Sequence, residues 1–310
     1  MITIFKTIQN NLQKTNEFDL GSWINVESPT SQELEKLSQK LNIPLDFLTD
    51  PLDIDERARI EVEDGCILIV LRIPRFDEKE ADIQFTTLPL GIIITQGWVI
   101  TICFRDTPII LDFILGKVRG FSTQNRSRFI LQIFLKAFLL YLNYLKEIDK
   151  RSTAVENELH KAMKNEELIK LLNLEKSLVF FITSLKSNEL MLKRLQGTEI
   201  IKMDSDDKDL LEDVIIENQQ ALDMSNIYSN ILSGMMDAFA SVISNNLNVV
   251  MKFLTAITII LTIPTLVASI YGMNVKLPFQ NSPYAFLITL GISFSLSAIA
   301  IVIFIKRKWF

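Results

Sequence analysis

The chain has 310 residues, 48% of them hydrophobic and 22% charged, with a formal net charge of −5 and a mean hydropathy of +0.25. That mean is too apolar for an ordinary soluble enzyme, and the net acidity argues against nucleic acid as a partner, because phosphate binding needs a basic face. One histidine and two cysteines exclude a transition-metal site of the zinc-finger type.

The N-terminus, MITIFKTIQNNLQK, has no basic start followed by a long apolar core. No signal peptide is expected, so the N-terminal domain is expected in the cytosol. Residues 1–115 read as a mixed α/β domain. In TSQELEKLSQKL, Thr30 and Glu33 have the spacing of a capping box, and Leu34, Leu37 and Leu41 follow at helical intervals. ILIVLRI, LGIIIT and WVITICF are β-branched runs bounded by Gly, Pro or Asp and read as strands. SPT, IPRFDEKEAD and RDTP read as turns or loops. Cys66 and Cys103 lie in two of the apolar strands, as expected of buried reduced thiols.

Residues 116–206 read as a helical hairpin. RFILQIFLKAFLLYLNYLKEIDKRSTAVENELHKAM predicts one long amphipathic helix, with His160 solvated on its charged part. A second helix is predicted over 166–196, with Gly197 as its C-cap. DSDDKD lacks the glycine and the spaced ligands of a calcium loop, and its acids suit a solvated helix start. The third helix, over 207–273, meets no proline before Pro264, and about 60 residues at 1.5 Å each make a rod on the order of 90 Å long.

The end of that rod is uncharged from 253 to 275, and the chain is uncharged again from 277 to 305. A hydrocarbon core of roughly 30 Å needs about 20 helical residues, so two C-terminal membrane helices are predicted. The second covers 284–305, after a loop at 274–283 whose one charge is Lys276. All 37 acidic residues lie at or before Asp237, and the tail at 306–310, KRKWF, is basic. By the positive-inside bias both termini face the cytosol and the loop faces out, with Trp309 suited to a membrane interface.

In steps of seven, the rod shows one line of Gly234, Ser241, Asn248, Thr255, Thr262 and Ser269. Another runs Asn230, Asp237, Ser244, Met251, Thr258, Thr265 and Gly272. These are heptad positions where a coiled coil would carry Leu and Ile. The flanking residues in the membrane run are Ile257, Ile259, Ile260, Leu261, Leu266 and Val267. A polar stripe must turn away from lipid, into either a dry helix–helix interface or a water-filled channel built from several copies. Asp223, Asn230 and Asp237 continue it outside the membrane, where repeated acids repel on a dry interface and suit a cation-attracting funnel. The membrane runs hold no carboxylate, and neutral oxygens can hold a hydrated Mg²⁺ without stripping it.

YGMN at 271–274, ending the first of two C-terminal membrane helices before a short loop and a basic tail, resembles the CorA magnesium transporters. SNNLNVVMKFLTAITIILTIPTLVASIYGMN resembles that family's pore helix, and IPLDFLTDPLDIDERARIEVEDGCILIVLR resembles its cytosolic domain. The resemblance implies an α+β cytosolic domain, long α-helices and two transmembrane helices in a funnel-shaped homopentamer of the plasma (bacterial inner) membrane. It implies a filter at Gly272, Met273 and Asn274. By motif, constrictions fall on Thr265, Leu254, Met251 and Asn248, with Asp237 deeper, and Thr255, Thr258, Thr262 and Ser269 complete the lining. Asp50 and Asp213 align with acids that bind regulatory Mg²⁺ across a subunit boundary, although the family's acid beside the first is Thr49 here. Mg²⁺ is thus expected as cargo and as regulator, with gating by cytosolic Mg²⁺. Two features depart from a plain Mg²⁺ importer: the loop lacks the family's acid, and it adds Lys276. Co²⁺, Ni²⁺ or Zn²⁺ transport on the same scaffold and a non-conducting membrane-anchored sensor are the alternatives. An enzyme is not expected, since no nucleophile–base pair, phosphate-cradling loop or metal triad stands out.

Overall fold

The structure is a computed structural model that describes residues 1–9, 11–78, 82–161, 165–279, 281–307 and 309, the side chains of 160 and 161 excepted. The expectation for the His160 side chain, and those for residues 308 and 310 of the tail, lie outside the described residues. The chain divides into two units, Met1–Gly234 and Met235–Phe310.

The first unit is built on a seven-stranded sheet. Its strands are β1 (Ile2–Ile8), β2 (Asn11–Thr15), β3 (Trp23–Glu27), β4 (Arg59–Glu63), β5 (Cys66–Phe76), β6 (Phe85–Ile94) and β7 (Val99–Cys103). Their order is β2-β1-β3-β7-β6-β5-β4, and every neighbouring pair is antiparallel except β3 with β7. Because successive side chains alternate across a strand, Ile24, Val26, Leu68, Val70, Ile100 and Ile102 gather on one face with Leu34, Leu37 and Leu41 of α1 (Ser31–Leu41) and Phe47 and Leu48 of α2 (Leu45–Thr49). Trp23 points the other way and meets Phe113 of α3 (Pro108–Ile114) and Phe129 of α4 (Arg126–Lys161) edge-on. The capping box at Thr30 and Glu33 is present in both directions.

The predicted loop IPRFDEKEAD begins too early. β5 runs through Pro74 to Phe76, because the register opposite Leu88, Thr87, Thr86 and Phe85 keeps side chains pairing on both sides of the missing N–H. Glycine at 91 answers a packing demand: a Cβ there would come within 2.4 Å of Pro51. Pro51 belongs to the 3-10 turn Asp50–Leu52, so Gly91 lets that turn, and Asp50 with it, lie flat on the sheet.

α4 and α5 (Asn165–Gln196) form the expected hairpin. α4 is long and apolar enough to cross a membrane by composition, yet Phe129, Phe134, Phe138 and Tyr141 are fully buried within the first unit. Gly197 follows α5 as the expected C-cap, with its N–H on the Lys193 carbonyl at 3.0 Å, although without a left-handed φ. α6 runs from Ser205 to Tyr271, two residues ahead of the expected start at 207. Asp204 caps it, its Oδ1 accepting the Asp207 N–H at 2.7 Å.

Asp207 corrects the reading of that hexad as solvated. Its side chain is buried, accepts the Ser127 hydroxyl and lies 3.9 Å from the Arg128 guanidinium. The starts of α4 and α6 are thereby brought together, and the donor and cation of α4 compensate the buried charge of α6.

The second unit holds the rest of α6, the loop and α7 (Ala285–Lys306). Both helices are long and apolar enough to span a bilayer, and most of their apolar residues are exposed. Within the two uncharged runs, Ala256 and Val267 on α6 and Ser293 and Ser297 on α7 are buried. In a unit made of two helices, burial places these residues where one helix covers the other.

Candidate ion pathway and regulatory acids

The predicted stripe is exposed along the second unit. Asp237, Asn248, Met251, Leu254, Thr255, Thr258, Thr262, Thr265 and Ser269 are all exposed on one continuous helix. At 3.6 residues per turn, Thr255, Thr258, Thr262, Thr265 and Ser269 fall within an arc of about 80°, centred about 150° around the helix from Ala256 and Val267. The hydroxyl face therefore points away from the face that α7 covers. Ile257 and Ile260 are half-buried between the two.

The hydroxyls are oriented. Thr255 donates to the Met251 carbonyl at 2.7 Å, Thr258 to Leu254 at 2.8 Å, and Thr262 to Thr258 at 2.7 Å. Thr265 makes the same bond to Leu261 at 3.4 Å. Each threonine thus spends its one donor on its own helix, and the oxygen keeps its lone pairs for acceptance from outside. A line of acceptors with no competing donor suits the outward-pointing hydrogens of water bound to a cation. It also avoids the membrane cost of a carboxylate.

At the top, α6 ends at Tyr271. The Gly272 N–H still reaches the Ala268 carbonyl at 2.9 Å, and that of Met273 reaches Ile270 at 3.2 Å. Gly272, Met273 and Asn274 are exposed. A Cβ at 272 would meet nothing nearer than the Ala268 carbonyl at 3.4 Å, so one chain by itself imposes little demand for glycine there. Lys276 is exposed on the same loop.

The two candidate regulatory acids have different surroundings. Asp213 is exposed on α6. Asp50 is held by Arg59 of β4, whose Nη2 lies 2.6 Å from its carboxylate. The same guanidinium pairs with Glu56, and its Nε with Glu61 at 3.1 Å. Burial alone would lower the Arg59 pKa, but the bonds to Glu61 and Asp50 and the nearby Glu56 charge raise it. One cation is thereby shared by three carboxylates, an excess of negative charge beside the 3-10 turn. Arg72 secures the adjoining loop, donating to the Ile54 carbonyl and, at 2.9 Å, to that of Glu56. The Asn188 amide of α5 grips the Arg72 backbone from both sides, at 2.9 and 2.8 Å. The pairing of Asp50 with Arg59 was invisible to the sequence reading, although an arginine nine residues on in an antiparallel turn-and-strand was the signal available. Among the described residues no group of three or more His, Cys, Asp or Glu side chains could hold a metal ion.

A family model described as CorA-like Mg²⁺ transporter protein matches residues 20–307. The chain belongs to the CorA family. The cobalt/magnesium transport protein CorA of Methanocaldococcus jannaschii is 30% identical over 299 residues, spanning 93% of this chain and 90% of that protein. The corresponding CorA of Thermotoga maritima is 24% identical over 294 residues, with 93% and 83% covered. The complete structure of the M. jannaschii CorA magnesium transporter superposes with a TM-score of 0.86 at 28% identity, covering 100% of this chain and 99% of that one. CorA membership makes this a membrane protein of a transporter family, with an α+β unit, long helices and apolar C-terminal helices along one chain.

Proposed function

We propose that this protein carries divalent cations, with Mg²⁺ as the main cargo, across the plasma membrane through a pore at the centre of a homopentamer. The second part of α6 and α7 cross the bilayer, with both termini in the cytosol. The observation that carries this reading is the line of exposed threonine oxygens opposite the face packed on α7, each with its proton already committed. A non-conducting sensor has no use for acceptors through the depth of a bilayer.

The chain's own residues divide the work. The Asn274 amide offers a carbonyl and an NH₂ to water on an arriving ion, and Gly272 admits neighbouring copies at the mouth. Thr265, Thr262, Thr258 and Thr255 accept from the hydration shell in turn. Leu254 and Met251 form apolar constrictions, and Asn248 and Asp237 receive the ion on the cytosolic side. Because Mg²⁺ dehydrates reluctantly, a passage that keeps its water is the low-barrier one. Asp50 and Asp213 regulate: brought together between subunits, they repel unless a cation lies between them, so bound Mg²⁺ favours the closed ring. Arg59 competes with the ion for Asp50 and sets a threshold.

Co²⁺ is a second cargo, supported by the M. jannaschii relative being a cobalt/magnesium transport protein. The test is uptake by liposomes carrying the purified chain, loaded with a Mg²⁺-sensitive dye. Mg²⁺ entry above that of empty liposomes is the expected result, and its absence in correctly inserted protein contradicts the reading.

A further inference from the structure

One end of the second unit concentrates positive charge. Lys252 lies 19 residues before Tyr271 on α6, and Lys306 lies 21 residues after Ala285 on α7. At 1.5 Å per residue these are about 28 and 32 Å from the ends that the loop joins. The two helices are antiparallel neighbours, so the two lysines stand at nearly one level, and the interval matches a hydrocarbon core of about 30 Å. Arg307 follows immediately, its N–H on the Ile303 carbonyl at 2.9 Å. The tail then turns back rather than extending. The Trp309 N–H donates to the Phe304 carbonyl at 3.0 Å, and the Trp309 ring stacks on Phe304 at 5.1 Å between centroids, 20° from parallel. That fold pins the basic pair against the last turn of α7, beside a tryptophan of the kind that sits at headgroup depth.

Among the described residues of the second unit, no ion pair to an acid neutralises this charge. Its one acid, Asp237, is 15 residues before Lys252, or about 22 Å along the helix, which is beyond two Debye lengths at physiological salt.

We propose that Lys252, Lys306 and Arg307, with the Phe304–Trp309 stack, form a collar that binds the phosphodiester headgroups of anionic phospholipids in the cytosolic leaflet. The occupant follows from charge complementarity and depth: phosphate oxygens are the anions a bilayer offers at that level, and arginine and lysine are the side chains that hold them. A headgroup bridging Lys252 and Arg307 would tie the pore helix to the outer helix at its cytosolic end. The inference rests on the reading that both helices cross a membrane.

The test uses the full chain, exchanged between mixed micelles of phosphatidylglycerol and phosphatidylcholine, with retained lipid identified by native mass spectrometry. Each basic residue near the surface favours an anionic lipid by about fivefold, so the intact protein should enrich phosphatidylglycerol by tenfold or more. Lys252→Gln, Lys306→Gln and Arg307→Gln combined should abolish that preference, each alone should lower it in part, and Lys276→Gln, at the opposite end, should leave it unchanged. An undiminished preference in the triple variant, or an equal loss in Lys276→Gln, overturns the collar. Insertion into liposomes of either lipid is measured on the same preparations. Inserted protein without enrichment overturns the collar alone, whereas failure to insert in either lipid overturns the membrane reading together with it.

Discussion

Thr262→Val isolates the property that makes the stripe a candidate pathway. Valine has nearly the shape of threonine and keeps its place in a helix, but carries no oxygen. The helix loses a side-chain bond to the Thr258 carbonyl of 2.7 Å, while the backbone ladder remains. The pathway loses an acceptor for water bound to a divalent ion, a bond of the charged class, at about 1.5–3 kcal/mol. If that position limits passage, flux falls by roughly 10- to 100-fold, since each 1.4 kcal/mol is a factor of ten. Thr258→Val, whose bond to Leu254 is 2.8 Å, should behave alike. The control is Thr289→Val on α7, where the hydroxyl makes the same back-bond, 2.9 Å to Ala285, away from the stripe. Dye-monitored Mg²⁺ uptake into liposomes, with insertion and assembly quantified for each variant, reads the difference. Full flux in Thr258→Val and Thr262→Val, or an equal loss in Thr289→Val, would refute the reasoning.

Four further outcomes follow from other parts of the molecule. Asn274→Ala should abolish Mg²⁺ uptake with assembly intact, because a methyl cannot meet first-shell water; uptake at the parental rate removes the filter assignment. Asp50→Asn combined with Asp213→Asn should weaken the protection that Mg²⁺ gives the soluble part against proteolysis, measured across a Mg²⁺ titration. Gly91→Ala should lower thermal stability by about 1–3 kcal/mol, the usual cost of overpacking, since the new Cβ would fall 2.4 Å from Pro51; an unchanged melting temperature contradicts the packing argument. Burial pushes the Cys103 thiol up from 9.0 to about 11, so at pH 8 its thiolate fraction is on the order of 10⁻³ and grows only as pH rises toward 11. The folded protein should therefore resist a soluble thiol reagent at pH 8, and rapid labelling of Cys103 there contradicts the burial.

How far the sequence revealed the molecule depended on whether a signal was local. The capping box at Thr30, the α4–α5 hairpin and the two uncharged runs rest on neighbours in the chain, and each is present. The buried Asp207 was hidden because its partners, Ser127 and Arg128, are 80 and 79 residues away. An acidic run reads as solvated until the helix that crosses it is known. Pro74 misled for a related reason: proline marks a turn unless the register on both sides holds the strand through it. In the candidate pathway, spacing alone picked out Thr255, Thr258, Thr262 and Thr265. That their protons turn back onto the helix, leaving acceptors outward, is a matter of rotamer and needed side-chain geometry. Asp50 was picked out by family resemblance, which carried no word of Arg59.

The central claim, that the threonine face of α6 lines the ion pathway, is tested most directly by placing a thiol on it. Thr262→Cys is reconstituted in liposomes and Mg²⁺ uptake is followed before and after a small water-soluble methanethiosulfonate, with Leu261→Cys, on the flank, treated in parallel. Both native cysteines are buried, so the background is silent. Labelling and block of uptake at 262, with neither at 261, is the result the account predicts. Unimpeded uptake through protein shown to be labelled at 262, or block at 261 alone, would contradict it.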